Sequence, residues 1–336
     1  MAVSCGYTVN LGLGRERVKL TCHNCRIETI RFGFSKQGWQ RHRCRRCGKT
    51  YSAAPERPLD DLRVDLAKAA QVVHLLAEGV GIRAAARLTG LNERTVLNVL
   101  RVAGEKCARL LDTKIRDVSC VSVQADELWA FVHCKQVNAR QHPEHGDQYT
   151  FLGIDRESKL ILSYKVGRRN YINGLEFIQD LKQRVAGRFQ LTSDQWQGYV
   201  RAVYYTFYGE IDYAQQQKDF APMFTGSSNF TARRYSPGRC IGFNTMIHVG
   251  NPVRELISTS HVERTNLSVR LFNRRFTRLT LGYSKKLANL KHSVALLIAH
   301  FNFCRVHSAH GKTPAQAVGL TETKWTCEDL LRWRGT

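Results

Sequence analysis

The sequence predicts a multidomain chain: a small four-cysteine zinc module, an α-helical helix-turn-helix domain, and a mixed α/β domain. Three observations predict it. Two CxxC pairs stand near the N-terminus, TCHNC at 21–25 and RCRRC at 43–47. Two helical patterns then meet at a turn around Gly90. From Val118 onward, β-branched and aromatic runs alternate with amphipathic ones. The boundaries expected from these shifts are 1–58, 59–115 and 116–310, with a C-terminal tail at 311–336.

The bulk numbers narrow the function. A chain of 336 residues with 43% hydrophobic content can build real cores. Its net charge of +23 costs self-repulsion in the folded state and implies an anionic partner. Nucleic acid is the first candidate and a membrane surface the second. The second is disfavoured because no apolar run is long enough to span a bilayer. The start, MAVSCGYTVNLGLGRER, lacks the ordered regions of a secretory signal, so a cytoplasmic, nucleoid-associated protein is expected. The 11 cysteines are odd in number and only four fall in tight pairs, which fits a reduced compartment with one metal site better than a disulfide framework.

In the first segment, 18 residues separate Cys25 from Cys44. Two knuckles at such spacing turn the thiolates of Cys22, Cys25, Cys44 and Cys47 towards one point and complete a tetrahedral zinc shell. Four thiolates leave no open position, so the zinc is structural rather than catalytic. Residues 1–58 carry 12 Lys/Arg against three acids. Arg43, Arg45 and Arg46 stand beside the metal, where phosphate contact is the functional reading and a solvated basic surface the bland one.

SAAPERP at 52–58 reads as a linker. LRVDLAKAAQVVHLLAEG is helical, with an apolar side at Leu62, Leu66, Ala69, Val73 and Leu76, and Gly79 and Gly81 break it. A short helix, a turn at Gly90 and a second helix capped by Asn92 come next, with Val96, Val99 and Leu100 facing inward. This is the helix-turn-helix pattern. Arg94, Thr95, Asn98 and Arg101 fall on its outer side, within reach of a major groove; the plain alternative is an ordinary helical hairpin.

Beyond Val118, VSCVSVQADELWAFV reads as a strand, and QYTFLGIDRESKLILSYKV as two strands joined by a turn at Asp155–Ser158. NGLEFIQDLKQRVAG reads as a helix, FQLTSD as a strand and WQGYVRAVYYTF as a helix. Three acids stand out: Asp126 on the first strand, Asp194 at the end of the later one, and Glu263 at the head of a basic helix. Three carboxylates at one point need divalent cations, and two magnesium ions suit phosphoryl transfer. Each acid has another reading. Asp194 with Gln197 makes a capping box. Asp126 and Glu127 face opposite ways on a strand, so either is the candidate ligand. Glu263 suits a helix dipole. In that helix Val262, Thr265, Val269, Phe272 and Phe276 form the expected buried stripe, and Glu263, Asn266, Arg270 and Arg274 the neighbouring face.

ADELWAFV, TSDQWQGY and SHVERTNLSVRLFNRRFTRLTLGYSKK, coming after a zinc module and helix-turn-helix, resemble the DDE transposases of bacterial insertion sequences over residues 20–310. The most specific parts are Asp126–Trp129 and Val262–Asn266 with its continuation to Lys285. The resemblance implies an RNase H-like catalytic domain in which Asp126, Asp194 and Glu263 bind two magnesium ions, with manganese as a substitute. It implies cleavage of a phosphodiester at an element end and attack of the freed 3′-hydroxyl on target DNA, without a covalent protein–DNA intermediate. The zinc module and helix-turn-helix would recognise terminal inverted repeats, and Asn266, Arg270 and Arg274 would hold DNA near the metals. A homodimer or larger assembly is expected, because two ends are brought together. A derived DNA-binding repressor without catalysis is the alternative. Residues 212–253 match no motif and read as an insertion or longer loop.

Overall fold

The computed structural model describes residues 20–22, 24–36, 38–52, 58–60, 62–140, 142–221 and 239–335. The N-terminal MAVSCGYTVNLGLGRER stretch, most of the expected linker and the centre of the 212–253 segment lie outside the described residues. The chain forms two compact units, 1–57 and 58–336.

In the first unit, β1 (Ile30–Phe34), β2 (Gln40–Arg43) and β3 (Thr50–Ser52) make an antiparallel sheet in the order β1-β2-β3. Its strands are too short to bury much apolar surface, and Phe34 is 68% exposed.

The second unit opens with α1 (Leu66–Ala77), α2 (Ile82–Thr89) and α3 (Glu93–Lys114). Asp65 caps α1, so the expected apolar Leu62 lies ahead of the helix and packs against the core from an irregular segment. Gly90 takes the left-handed conformation that ends α2, with φ 68°. Asn92 caps α3 by accepting the Arg94 N–H at 2.9 Å. Val96, Val99 and Leu100 are fully buried.

Next come β4 (Val118–Ser119), β5 (Ser122–Val132), β6 (Gly146–Asp155), β7 (Ile161–Gly167), α4 (Tyr171–Lys182), β8 (Val185–Ala186), β9 (Gln190–Ser193), α5 (Gln197–Phe207), β10 (Asp212–Phe220) and β11 (Cys240–Val249). Six of these strands form one mixed sheet in the order β11-β10-β9-β5-β6-β7. The pairs β5–β6 and β6–β7 are antiparallel, β5–β9 and β9–β10 parallel, and β10–β11 antiparallel. The 212–253 segment therefore supplies two strands at the sheet edge. Asp155 closes the β6–β7 turn, its carboxylate accepting the Ser158 N–H at 2.8 Å.

The chain ends with α6 (Ser260–Phe272), α7 (Leu287–Ala299), a π-helical turn at His300–Cys304, α8 (Pro314–Ala317) and α9 (Cys327–Arg332). Packing does not divide this unit at 115 or 310. The helix α3 is continuous for 22 residues and lies against α7. Their closest point is Gly104, where an added Cβ would meet the His292 Cα at 2.6 Å and carbonyl oxygen at 2.7 Å. From the tail, Lys106 Nζ donates to the Leu331 carbonyl at 3.0 Å, and Trp325 packs on Phe303 with ring centroids 5.0 Å apart.

One sequence expectation fails locally. The basic helix stops at Phe272, because Asn273 is extended with φ −130° and ψ 109°. The Asn273 side chain starts a new turn, accepting the Arg275 N–H at 3.2 Å and donating to Ser293 Oγ at 3.0 Å. Phe276 is buried as expected, but from that separate turn, and Arg274 does not continue the Glu263–Arg270 face.

Candidate active site and metal centre

The central strand β5 carries Asp126 and Glu127 at mid-length, and Asp194 directly follows the adjacent parallel strand β9. The parallel β5–β9 register sets Ala125 beside Ser193, so the next residue of each strand brings Asp126 and Asp194 to the same end of the sheet. The helix α6 is pinned across β5 by a long-range cap. Gln124 Oε1 accepts the N–H groups of His261 at 2.9 Å and Val262 at 3.1 Å, two amides of the first turn that have no partner within the helix. That contact places Glu263, also in the first turn, near the carboxylates of the sheet. Asp126, Arg169, Asp194, Lys218 and Glu263 line one open cavity of about 1080 Å³.

Within the cavity the acids are not equivalent. Oxygen atoms of Asp126, Glu127 and Asp194 lie within 4.8 Å of one another, and Glu263 is outside that group. Glu263 is held by Lys218 and by Thr259, whose hydroxyl donates to Glu263 Oε1 at 2.7 Å. Glu127 is 3% exposed and paired with Arg169 at 3.2 Å; the same guanidinium reaches Asp194 at 3.3 Å. Arg169 also lies 5.2 Å from the Trp196 ring centre, which fixes its orientation. Asp126 accepts the Asn266 Nδ2–H at 2.7 Å. Asn266 is buried and directed at a carboxylate, so it does not present itself to a DNA backbone, as the sequence pattern led one to expect.

Burial raises every member of the acid group, and a neighbouring charge adds to it for Asp126 and Glu127. Burial and the Asp194 charge push Asp126 up to about 6, against the pull of the Glu127 N–H and Asn266. Burial and Asp194 push Glu127 up to about 8, with Arg169 opposing. Burial raises Asp194 too, opposed by the Trp196 N–H and Arg169. Carboxylates this close could hold a divalent cation, and an all-carboxylate donor set suits a hard ion.

Asp194 is not a helix cap. Trp196 holds that position for α5, no capping box with Gln197 forms, and Asp194 instead accepts the Trp196 N–H at 3.1 Å in a tight turn. Gln215 on β10 holds the turn from below, donating to the Asp194 carbonyl at 2.7 Å. Arg169, Lys218, Gln124 and Thr259 carried no sequence signal. Their types are common, and only the fold brings them to the acids.

In the first unit the sulfurs of Cys22, Cys25, Cys44 and Cys47 converge within 4.8 Å. Cys22 and Cys47 are 3.6 Å apart, against about 3.8 Å for two thiolates on a tetrahedral zinc with bonds of about 2.3 Å. The two knuckles match in backbone. The Cys22 N–H donates to Ile27 at 2.8 Å and the Cys44 N–H to Lys49 at 2.9 Å, and Arg26 and Gly48, each next after a second cysteine, have φ of 54° and 69°. The four residues fit zinc.

Among the expected nucleic-acid contacts, Arg43, Arg45, Arg46, Arg94, Arg101 and Arg274 are exposed, while Thr95, Asn98 and Arg270 are partly buried. Arg43 lies over Phe32 at 5.1 Å, and Arg101 pairs with Glu105 at 3.1 Å. Among the described residues no helix is long and apolar enough to cross a membrane.

No family model and no curated protein matches the chain. Among solved structures it is similar to the simian T-cell lymphotropic virus intasome in complex with the PP2A regulatory subunit B56 gamma. That match has 14% identity, covers 75% of this chain and 74% of that one, and has a TM-score of 0.33. It is also similar to a pre-cleavage Mos1 transpososome, at 14% identity over 48% of this chain and 62% of that one, with a TM-score of 0.19. Similarity this low carries no inference about chemistry, which rests on the chain's own residues.

Proposed function

We propose that the chain is a DDE-type transposase of the insertion-sequence kind, which binds element ends and catalyses metal-dependent DNA strand cleavage and strand transfer. The observation that carries this reading is the meeting of Asp126, Asp194 and Glu263, from three separated elements, in one open cavity. The strand order supports it. Numbered within the sheet from β5 and leaving out the two-residue β8, the order is 3-2-1-4-5 with β11 added at the edge, which puts Asp126 on the first strand and Asp194 at the end of the fourth.

In this reading Asp126, Asp194 and Glu263 hold magnesium, which when bound polarises the attacking and leaving oxygens of a phosphodiester. Asp126 is the ligand of its pair because it faces the cavity, whereas the Glu127 side chain is enclosed and engaged by Arg169. Asn266 orients the Asp126 carboxylate through its amide. Glu263 joins the other acids by leaving Lys218, which then faces an anionic substrate in the same cavity. Arg270, on the same helix face, and the exposed arginines of the helix-turn-helix and zinc module contact phosphates, and a homodimer or larger assembly holds two ends.

The test is a magnesium-dependent assay of cleavage and joining on a duplex carrying the element end. Glu263→Gln and Asp126→Asn should each lower the rate at least about 10²-fold, because groups merely adjacent to metal ligands already contribute 10–100-fold. Duplex binding should stay within about twofold. Variants that join ends at the parental rate would remove the assigned site. A parental protein that binds ends tightly but nicks nothing with magnesium or manganese would replace this reading with a DNA-binding repressor.

A further inference from the structure

His74, His300 and Cys327 are brought together from distant parts of the second unit: the last turn of α1, the π-helical turn after α7 and the first residue of α9. One nitrogen or sulfur from each lies within 4.8 Å of the others. The Cys327 sulfur is 3.9 Å from His74 Nδ1. A tetrahedral zinc with bonds of about 2.3 Å to sulfur and about 2.0–2.1 Å to nitrogen holds such a pair about 3.6 Å apart. The rings of His74 and His300 meet edge-on, with centroids 6.3 Å apart. Two imidazoles and one thiol form a donor set for zinc, not for magnesium.

We propose that His74, His300 and Cys327 form a second zinc site, distinct from the four-cysteine centre and from the acidic cavity. It fastens the C-terminal helix α9 to α1. Water or the Glu78 carboxylate, one turn along α1 from His74, takes the fourth position. The enclosure suits this: His300 is buried, Cys327 is partly covered and His74 faces solvent, so an ion enters from one side. The π turn has a role here. Within it Asn302 is committed to β7, accepting the Ile161 N–H at 3.0 Å and donating to its carbonyl at 2.9 Å, which fixes the turn that carries His300. Cys327 and His74 are 253 positions apart, so a metal between them closes a very long loop of the unfolded chain, and its binding is coupled to folding.

Zinc content of the full-length chain, equilibrated with zinc against a competing chromophoric chelator, reads the proposal directly. The parental protein should hold two zinc ions per chain. Cys327→Ala and His74→Ala should each hold one, with circular dichroism confirming the fold. In a Cys22→Ser/Cys25→Ser background, cobalt(II) should give one site with a thiolate charge-transfer band; Cys327→Ala should abolish the band, and Cys327→His should lose it while retaining the ion. A stoichiometry of one in the parental chain would overturn the site. So would a second ion that persists unchanged in both Cys327→Ala and His74→Ala.

Discussion

Asp126 and Asp194 face a conflict that a bound metal would resolve. Both are raised by burial, and the Asp194 charge further raises Asp126 and Glu127. Between the ordinary carboxylate range and about 8, the folded chain keeps protons that the unfolded chain has released, so metal-free stability should fall as pH rises through that window. Magnesium competes with those protons and should stabilise more at high pH. We expect the magnesium-induced rise in Tm to be small at pH 5.5 and to grow towards pH 8. A rise that is flat with pH would contradict the cavity as its binding place. In the same measurement Asp126→Asn should raise the metal-free Tm at pH 8, by removing a buried charge that costs roughly 2 kcal/mol through burial first and the Asp194 charge second, and should lose the magnesium response. At this scale the sequence was legible in kind but not in partner. It pointed to three acids; it did not show that Arg169 bridges Glu127 and Asp194 or that Asn266 serves Asp126, because those contacts join residues far apart in the chain.

The elements were legible where local chemistry dominates. The Asn92 cap, the Gly90 turn and the β6–β7 hairpin each arise from a few adjacent residues. The basic helix was misread at its end because a heptad-like pattern runs on through Arg274 and Phe276. The side chain of Asn273 bonds to Ser293 of α7, and that tertiary contact ends the helix. The head of the same helix depends on Gln124 of β5. Between helices, the crossing of α3 and α7 rests on Gly104. A methyl group there would overlap His292 main-chain atoms, which cannot swing away as a side-chain tip can. Gly104→Ala should therefore cost about 3 kcal/mol of stability, read as a lowered denaturant midpoint with the slope unchanged. A midpoint within experimental error of the parent would show that the two helices do not approach this closely.

At the scale of the molecule the chain is two units with different sources of stability. Residues 58–336 share one large apolar core, which α1 to α3 and the C-terminal helices both join. The first unit has short strands and exposed side chains, and a zinc held by its four cysteines would supply the stability its core does not. Substituting Cys44→Ser should unfold the first unit and leave the second intact. Limited proteolysis should then cut within 20–52 while a fragment beginning near Pro58 persists. Simultaneous loss of both units would contradict this division.

By itself the sequence pointed to the paired cysteines, the two helices that meet at Gly90, the main strands and helices between Ser122 and Phe207, and three acids as candidates. Each rests on short-range spacing: two cysteines per knuckle, one cap per helix, alternation along a strand. Only the tertiary structure decided which acids crowd together, with Glu127 inside the group and Glu263 held at its edge by Lys218. It also decided that α3 belongs to the same core as the sheet, and that His74, His300 and Cys327 meet. The physical reason is shared. These outcomes depend on which surfaces pack together, and packing unites residues that no local pattern connects.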